Sequence, residues 1–149
     1  MKTGLNRRSF LKRTAMAAGT VSATKLFPVP SLLAARSPDD LLNCVLIGSG
    51  GRGMTHLNEI VVKAKQNLVA IVDPDEKRHG EVQRWLQGKE KDPAKLQIFT
   101  DYRQMFDKIG KQIDTVFIAA PNHHHAAPAI TAMRLGKNVY CEKPVCHDV

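Results

Sequence analysis

The stretch Val45-Leu46-Ile47-Gly48-Ser49-Gly50-Gly51-Arg52-Gly53 sets three glycines at the spacing G-x-G-x-x-G, a pattern suited to holding the pyrophosphate of a dinucleotide by backbone N–H groups. Each glycine has a separate task in that chemistry. Gly48 permits a tight turn, Gly50 leaves no side chain in the path of a pyrophosphate, and Gly53 lets the following helix pack closely. Twenty residues beyond Gly53 stands Asp73, where a carboxylate accepts hydrogen bonds from an adenosine ribose. A carboxylate there also repels a 2′-phosphate and so favours NAD over NADP, although Arg52 and Arg78 offer compensating charge. A glycine turn in a doubly wound domain that takes some other ligand is the alternative these residues leave.

Two further groups carry chemical possibilities. Pro121-Asn122-His123-His124-His125 presents three consecutive histidines, but consecutive residues at a strand-to-helix turn point in different directions and no i, i+4 pair or carboxylate completes a metal-ligand set. No metal is expected. Pro121 and Asn122 instead shape the rim of a crevice at the carboxyl end of a sheet, or the segment is a plain solvated turn. Glu142-Lys143-Pro144 follows a strand-like run and projects a lysine towards the same crevice, the alternative being a lysine exposed in a loop. The cysteines, Cys44, Cys141 and Cys146, are odd in number and include no C-x-x-C pair, so neither a disulfide framework nor a zinc site is expected.

Positioning these residues requires alternating short apolar runs and amphipathic stretches. Runs over 43–47, 67–72, 96–99, 115–119 and 138–141 have strand length and β-branched content. Between them, Met54, Leu57, Ile60, Val61 and Ala64 fall on one helical face with His56, Glu59 and Lys63 off it. Val82, Trp85 and Leu86 anchor a more polar segment over 75–87. Tyr102, Met105, Phe106 and Ile109 form a stripe behind Asp101 as N-cap, and Ala126, Ala129, Ile130 and Met133 form another, closed by Gly136. Strand and helix alternating in this way predicts an α/β, doubly wound parallel sheet of Rossmann type.

Charge is distributed unevenly. Of 22 basic residues, seven lie in the first 36 positions, where no acid occurs, leaving 15 basic against 14 acidic residues in the remainder. A near-neutral body lacks the basic face that phosphate neutralisation demands, so nucleic acid is not an expected partner. Asn6-Arg7-Arg8-Ser9-Phe10-Leu11-Lys12, followed by an Ala-rich run, resembles a twin-arginine export signal. Residues 1–36 are therefore expected to be a leader read by the twin-arginine translocase, with an exported, periplasmic protein cleaved from it or tethered by it. Residues 37–149 form the nucleotide-binding domain. Export in the folded state allows a nucleotide to be loaded before crossing.

From residue 43 onward the chain resembles the Gfo/Idh/MocA family, which includes glucose-fructose oxidoreductase and inositol dehydrogenase. The motifs are Gly48-Ser49-Gly50-Gly51-Arg52-Gly53, Asp73, Pro121-Asn122 with His125, Ala132-Met133-Arg134-Leu135-Gly136-Lys137-Asn138-Val139, and Glu142-Lys143-Pro144. The resemblance implies hydride transfer between a nicotinamide and a sugar, cyclitol or polyol carbon. It assigns cofactor contacts to Gly48, Gly50, Gly51, Arg52, Gly53 and Asp73, and also to Pro121, Asn122, His125, Glu142, Lys143 and Pro144. Lys143 is the implied catalytic residue, reaching nicotinamide and substrate hydroxyl, and its bond to Pro144 is implied to be cis. The family continues past this point into a second α/β domain that supplies the substrate pocket and acid/base and mediates homo-oligomer formation; the present chain is expected to be a fragment, inactive alone. Two other activities sit within reach of the same resemblance, a redox glycosidase, against which Lys143 argues, and a non-catalytic nucleotide sensor.

Overall fold

The computed structural model describes residues 41–146; the leader expected over residues 1–36 lies outside that range. Five strands, β1 (Asn43–Ile47), β2 (Asn67–Val72), β3 (Gln97–Phe99), β4 (Thr115–Ile118) and β5 (Asn138–Cys141), form one all-parallel sheet in the order β3-β2-β1-β4-β5. The helices between them are α1 (Gly51–Asn58), α2 (Glu76–Gln87), α3 (Tyr102–Ile109) and α4 (Ala126–Arg134). The order reverses direction at β1, which pairs with β2 on one side and β4 on the other. A reversal of this kind opens a crevice beyond the carboxyl ends of the strands.

Alternation along the strands divides the core. Val45 and Ile47 of β1 join Val72, Met105, Phe106, Val116, Ile118 and Ala132 on the face covered by α3 and α4. Cys44 and Leu46 join Leu57, Ile60, Ile71, Val82 and Leu86 on the face covered by α1 and α2. A sheet buried on both faces needs near-continuous apolar strands, and β1 and β2 read that way. Burial at β1 pushes the Cys44 thiol up to about 11, with Asp114 adding to the shift; this sulfur is a core atom, not a nucleophile.

The helix ends follow local chemistry. Asp101 Oδ1 accepts from Arg103 N at 2.9 Å at the start of α3, and Asp75 Oδ1 accepts from Lys77 N at 3.0 Å at the start of α2. Gly136, at φ +69°, closes α4 in the left-handed region. Helix α1 runs on as a π-helical turn (Glu59–Lys63), where Ala64 N donates to Glu59 O at 2.8 Å.

Two expectations of facing are corrected. His56 is buried at 5% exposure, not off the packed face of α1. In α4 the inward residues are Pro128, Ala129 and Ala132, whereas Ile130 and Met133 are 44% and 58% exposed. Small residues bring α4 close to the sheet, and the bulkier ones face out.

Candidate dinucleotide-binding site

The carboxyl end of the sheet is tied together by four backbone hydrogen bonds, each placing the first residue of a loop on the last residues of a neighbouring strand. Gly48 N donates to Val72 O at 2.8 Å, Asp73 N to Phe99 O at 3.0 Å, Ala119 N to Ile47 O at 2.8 Å and Glu142 N to Ile118 O at 3.0 Å. Every loop that carries an expected site residue thus starts from a fixed backbone position.

The glycine loop sits on that platform. Gly48 adopts φ +87°, and a Cβ there would lie 2.6 Å from Ala120 N and 2.7 Å from Ala119 C and O. A Cβ on Gly53 would collide with Gly48 O, so this glycine makes room chiefly for the loop's own carbonyl and, through Leu46, for the sheet. Gly50 is different: a Cβ would meet nothing within 4 Å, because this position faces open space at the start of α1. Helix α1 has no side-chain cap at Gly50 and no acid in its first turn. Its leading N–H groups and positive dipole end suit an anion there.

Asp73 closes the other side of the loop. Its Oδ2 accepts from Ser49 N at 2.8 Å and Ser49 Oγ at 2.9 Å, and its Oδ1 accepts from Asp75 N at 3.0 Å. Ser49 is fully buried and Asp73 is 8% exposed, so these are bonds in a dry setting. A carboxylate offers about four acceptor directions, which leaves capacity for a hydroxyl approaching from the crevice.

The crevice has a volume of about 670 Å³ and is lined by Gly48, Gly50, Gly51, Arg52, Asp73 and Pro121, together with Thr100, Asp101, Tyr102, Arg103, His123 and His124. The first six were expected; the loop after β3 was not. Tyr102 reads in sequence as part of an apolar stripe, yet it stands edge-on to His124 at 5.7 Å in this wall. Beside it the Arg103 guanidinium holds the Asp101 carboxyl below its ordinary range, with Nη2 2.7 Å from Oδ2.

The remaining expected residues lie outside the lining. Gly53 is buried behind the loop, and Asn122 is exposed at the start of a 3₁₀ turn. His125 is 1% exposed, with Nε2 2.6 Å from Ala120 O and Nδ1 2.7 Å from Pro144 O. A cationic ring donates to both carbonyls; a neutral ring donates to one. Either way His125 joins the end of β4 to the turn after β5. In that turn the Lys143–Pro144 peptide is cis and both residues are exposed.

Glu142 turns back onto α1. Its Oε1 accepts from Arg52 Nε at 2.8 Å and faces His56 Nε2 at 2.7 Å. Arg52, followed by His56, holds this carboxyl below its ordinary value of 4.5. A depressed carboxylate contributes stability above that ordinary value and loses it as pH falls through the lowered one. The stability difference between the parent chain and Glu142→Gln is therefore expected to shrink as pH falls below about 4.5, read by urea denaturation at a series of pH values. A gap that does not change with pH would show that Glu142 acts through packing alone.

The sheet order, the glycine turn at its switch point and the carboxylate ending β2 define a Rossmann-type nucleotide-binding domain. Residues 42–149 match the family described as Oxidoreductase family, NAD-binding Rossmann fold; the chain belongs to this family, Gfo/Idh/MocA. It is 32% identical to myo-inositol 2-dehydrogenase from Lactobacillus plantarum, whose crystal structure superposes with a TM-score of 0.60 over 73% of this chain and 30% of that one. It is 30% identical over 144 residues to a glycosyl hydrolase family 109 protein of Stenotrophomonas maltophilia, covering 93% of this chain and 29% of that protein. Inositol 2-dehydrogenase of Streptomyces avermitilis is 28% identical over 109 residues, 72% of this chain and 29% of that one. The chain thus spans less than a third of the length of each of these relatives.

Proposed function

We propose that this chain forms the cofactor-binding domain of an NAD-dependent oxidoreductase acting on a sugar, cyclitol or related polyol. The observation that carries the nucleotide reading is the Asp73 carboxylate, fixed by Ser49 and Asp75 at the edge of the glycine loop. The cradle fits the cofactor: Gly50 leaves open space before the α1 N-terminus, and the crevice continues past Asp73 to Tyr102. In this reading Gly50, Gly51 and Arg52 meet the pyrophosphate and Asp73 accepts from the adenosine ribose. Bound nicotinamide supplies a hydride acceptor. Lys143 stabilises the negative charge on the substrate oxygen as its hydroxyl gives up a proton to a base and the carbon, passing its hydride to the nicotinamide, becomes a carbonyl.

NAD is favoured over NADP because the arginines near the ribose site already have partners. Arg78 Nη1 lies 2.8 Å from Glu81 Oε2, and Arg103 bonds Asp101. The cyclitol class is supported by the two inositol dehydrogenases among the relatives. The relative named as a glycosyl hydrolase supports a second reading, a redox glycosidase, distinguished in the complete protein by sugar release without net accumulation of NADH. Residues 1–36, with Arg7-Arg8, support export by the twin-arginine route.

A fluorescence titration of the chain with NADH and NADPH, with circular dichroism as a check of folding, tests the assignment. NADH is expected to bind about tenfold or more tighter, the effect of roughly 1.4 kcal/mol of charge repulsion at the 2′ position. Equal or tighter NADPH binding would remove the NAD assignment, and a folded chain that binds neither would remove the nucleotide reading.

A further inference from the structure

His56 is a buried histidine whose partner lies 86 residues away, in the turn that carries Lys143. It sits one helical turn beyond Arg52 on α1, and both side chains meet the same oxygen, Glu142 Oε1, at 2.7 and 2.8 Å. A carboxylate can only accept, so the Nε2 atom of His56 carries the proton in this bond. The ring is oriented from the other side by Tyr140 of β5, edge-on at 5.1 Å, and by Phe117 of β4 at 6.1 Å. Glu142 is therefore held twice, by its backbone N–H on Ile118 O and by its carboxylate on α1. The Glu142 side chain is only 14% exposed and that of Arg52 is 63% exposed, which makes the His56 bond the better shielded of the two.

A residue fixed at backbone and side chain sets the direction in which the next one leaves, and the next one is Lys143. The opposite end of the turn is held separately by His125 Nδ1 on Pro144 O. We propose that His56 is a positioning residue: acting through Glu142, it aims Lys143 at the nicotinamide end of the crevice. This rests on the dinucleotide reading above and adds to it a residue that the glycine pattern does not contain. It also couples the helix that receives the pyrophosphate to the turn that serves the reacting ring.

The test compares two ligands that differ only in the reacting end, NADH and ADP-ribose, titrated into the 149-residue chain by fluorescence and calorimetry. His56→Leu fills the ring's space without a donor, and His56→Gln restores an amide N–H on a side chain of similar reach. His56→Leu is expected to weaken NADH about tenfold, the loss of one charge-assisted contact, while ADP-ribose affinity stays within about twofold, near the usual scatter of surface effects. His56→Gln is expected to recover most of the NADH affinity, and in a Lys143→Met background His56→Leu should add little. Should His56→Leu fail to fold, His56→Asn, whose shorter amide does not reach Glu142, is read in its place with the same ligand-selective loss expected. Equal losses for both ligands would overturn the proposal, because they indicate a loosened glycine loop instead of a displaced lysine. Unchanged NADH affinity would overturn it as well. A folded parent chain that binds NADH, with no ligand-selective loss in its His56→Leu form, sinks only this inference, whereas a folded parent that binds neither ligand sinks the dinucleotide reading and this inference with it.

Discussion

Asp73→Ala is expected to weaken NADH binding by about tenfold to a hundredfold. A hydrogen bond to a charged group contributes about 1.5–3 kcal/mol, and with three acceptor positions taken by Ser49 and Asp75 this carboxylate keeps one for a ribose hydroxyl. The substitution also costs stability, because Ser49 N and Ser49 Oγ lose their acceptor at a fully buried position. A buried donor left without a partner costs about 1–3 kcal/mol, so denaturation and ligand titration must be read together. Asp73→Asn separates the two effects. It keeps one carbonyl oxygen for the Ser49 or Asp75 donors but removes the charge, and is expected to narrow the preference for NADH over NADPH. A folded Asp73→Ala chain with unchanged NADH affinity would place the ribose elsewhere.

The second large effect comes from one substitution made at two positions in the same loop. Gly48→Ala is expected to destabilise the domain by about 3 kcal/mol, combining roughly 1–2 for a left-handed residue with 1–3 for overpacking. The new Cβ would lie 2.6 Å from Ala120 N, which is backbone at the end of β4 and has little freedom to retreat. For a domain of this size the melting temperature should fall by about 10–20 °C. Gly50→Ala introduces the same methyl group where nothing lies within 4 Å, and stability is expected to change by less than about 0.5 kcal/mol. NADH binding should nevertheless be lost, because the methyl occupies the approach of the pyrophosphate. Thermal melts and titrations of the pair thus separate a glycine required by the fold from one required by the ligand. Loss of stability at Gly50, or of neither property at Gly48, would contradict this division.

Much of the architecture was legible because it is local. The strand runs 43–47, 67–72 and 138–141 coincide with β1, β2 and β5, and the caps at Asp101 and Gly136 follow from turn chemistry that needs only a few neighbouring residues. The glycine loop was legible for the same reason: strand, turn and helix are contiguous. His56 was not. Helical periodicity sorts residues by apolarity, and a polar ring is assigned to solvent unless its partner is visible; here the partner is Glu142, 86 residues further along the chain. Tyr102 packs against the core as its stripe implies, but a stripe records only which residues share a helix face, not that the first of them also lines a crevice. In α4 the larger apolar residues, Ile130 and Met133, looked like the core, whereas close approach to the sheet selects Ala129 and Ala132. Side chains decide such choices jointly, and no single segment contains the information.

The four backbone bonds that seat Gly48, Asp73, Ala119 and Glu142 separate what must stay from what can drift. They are made by main-chain atoms, which every residue except proline supplies in full, so loop side chains that take no part in the loops' own packing and hydrogen bonds are free to change without unseating them. New cofactor preferences and new rims can therefore arise by exchange at positions such as Thr100, Arg103 or His123 while the platform beneath is inherited intact. A scaffold whose footing is independent of its furnishing is one on which many chemistries can be tried in succession.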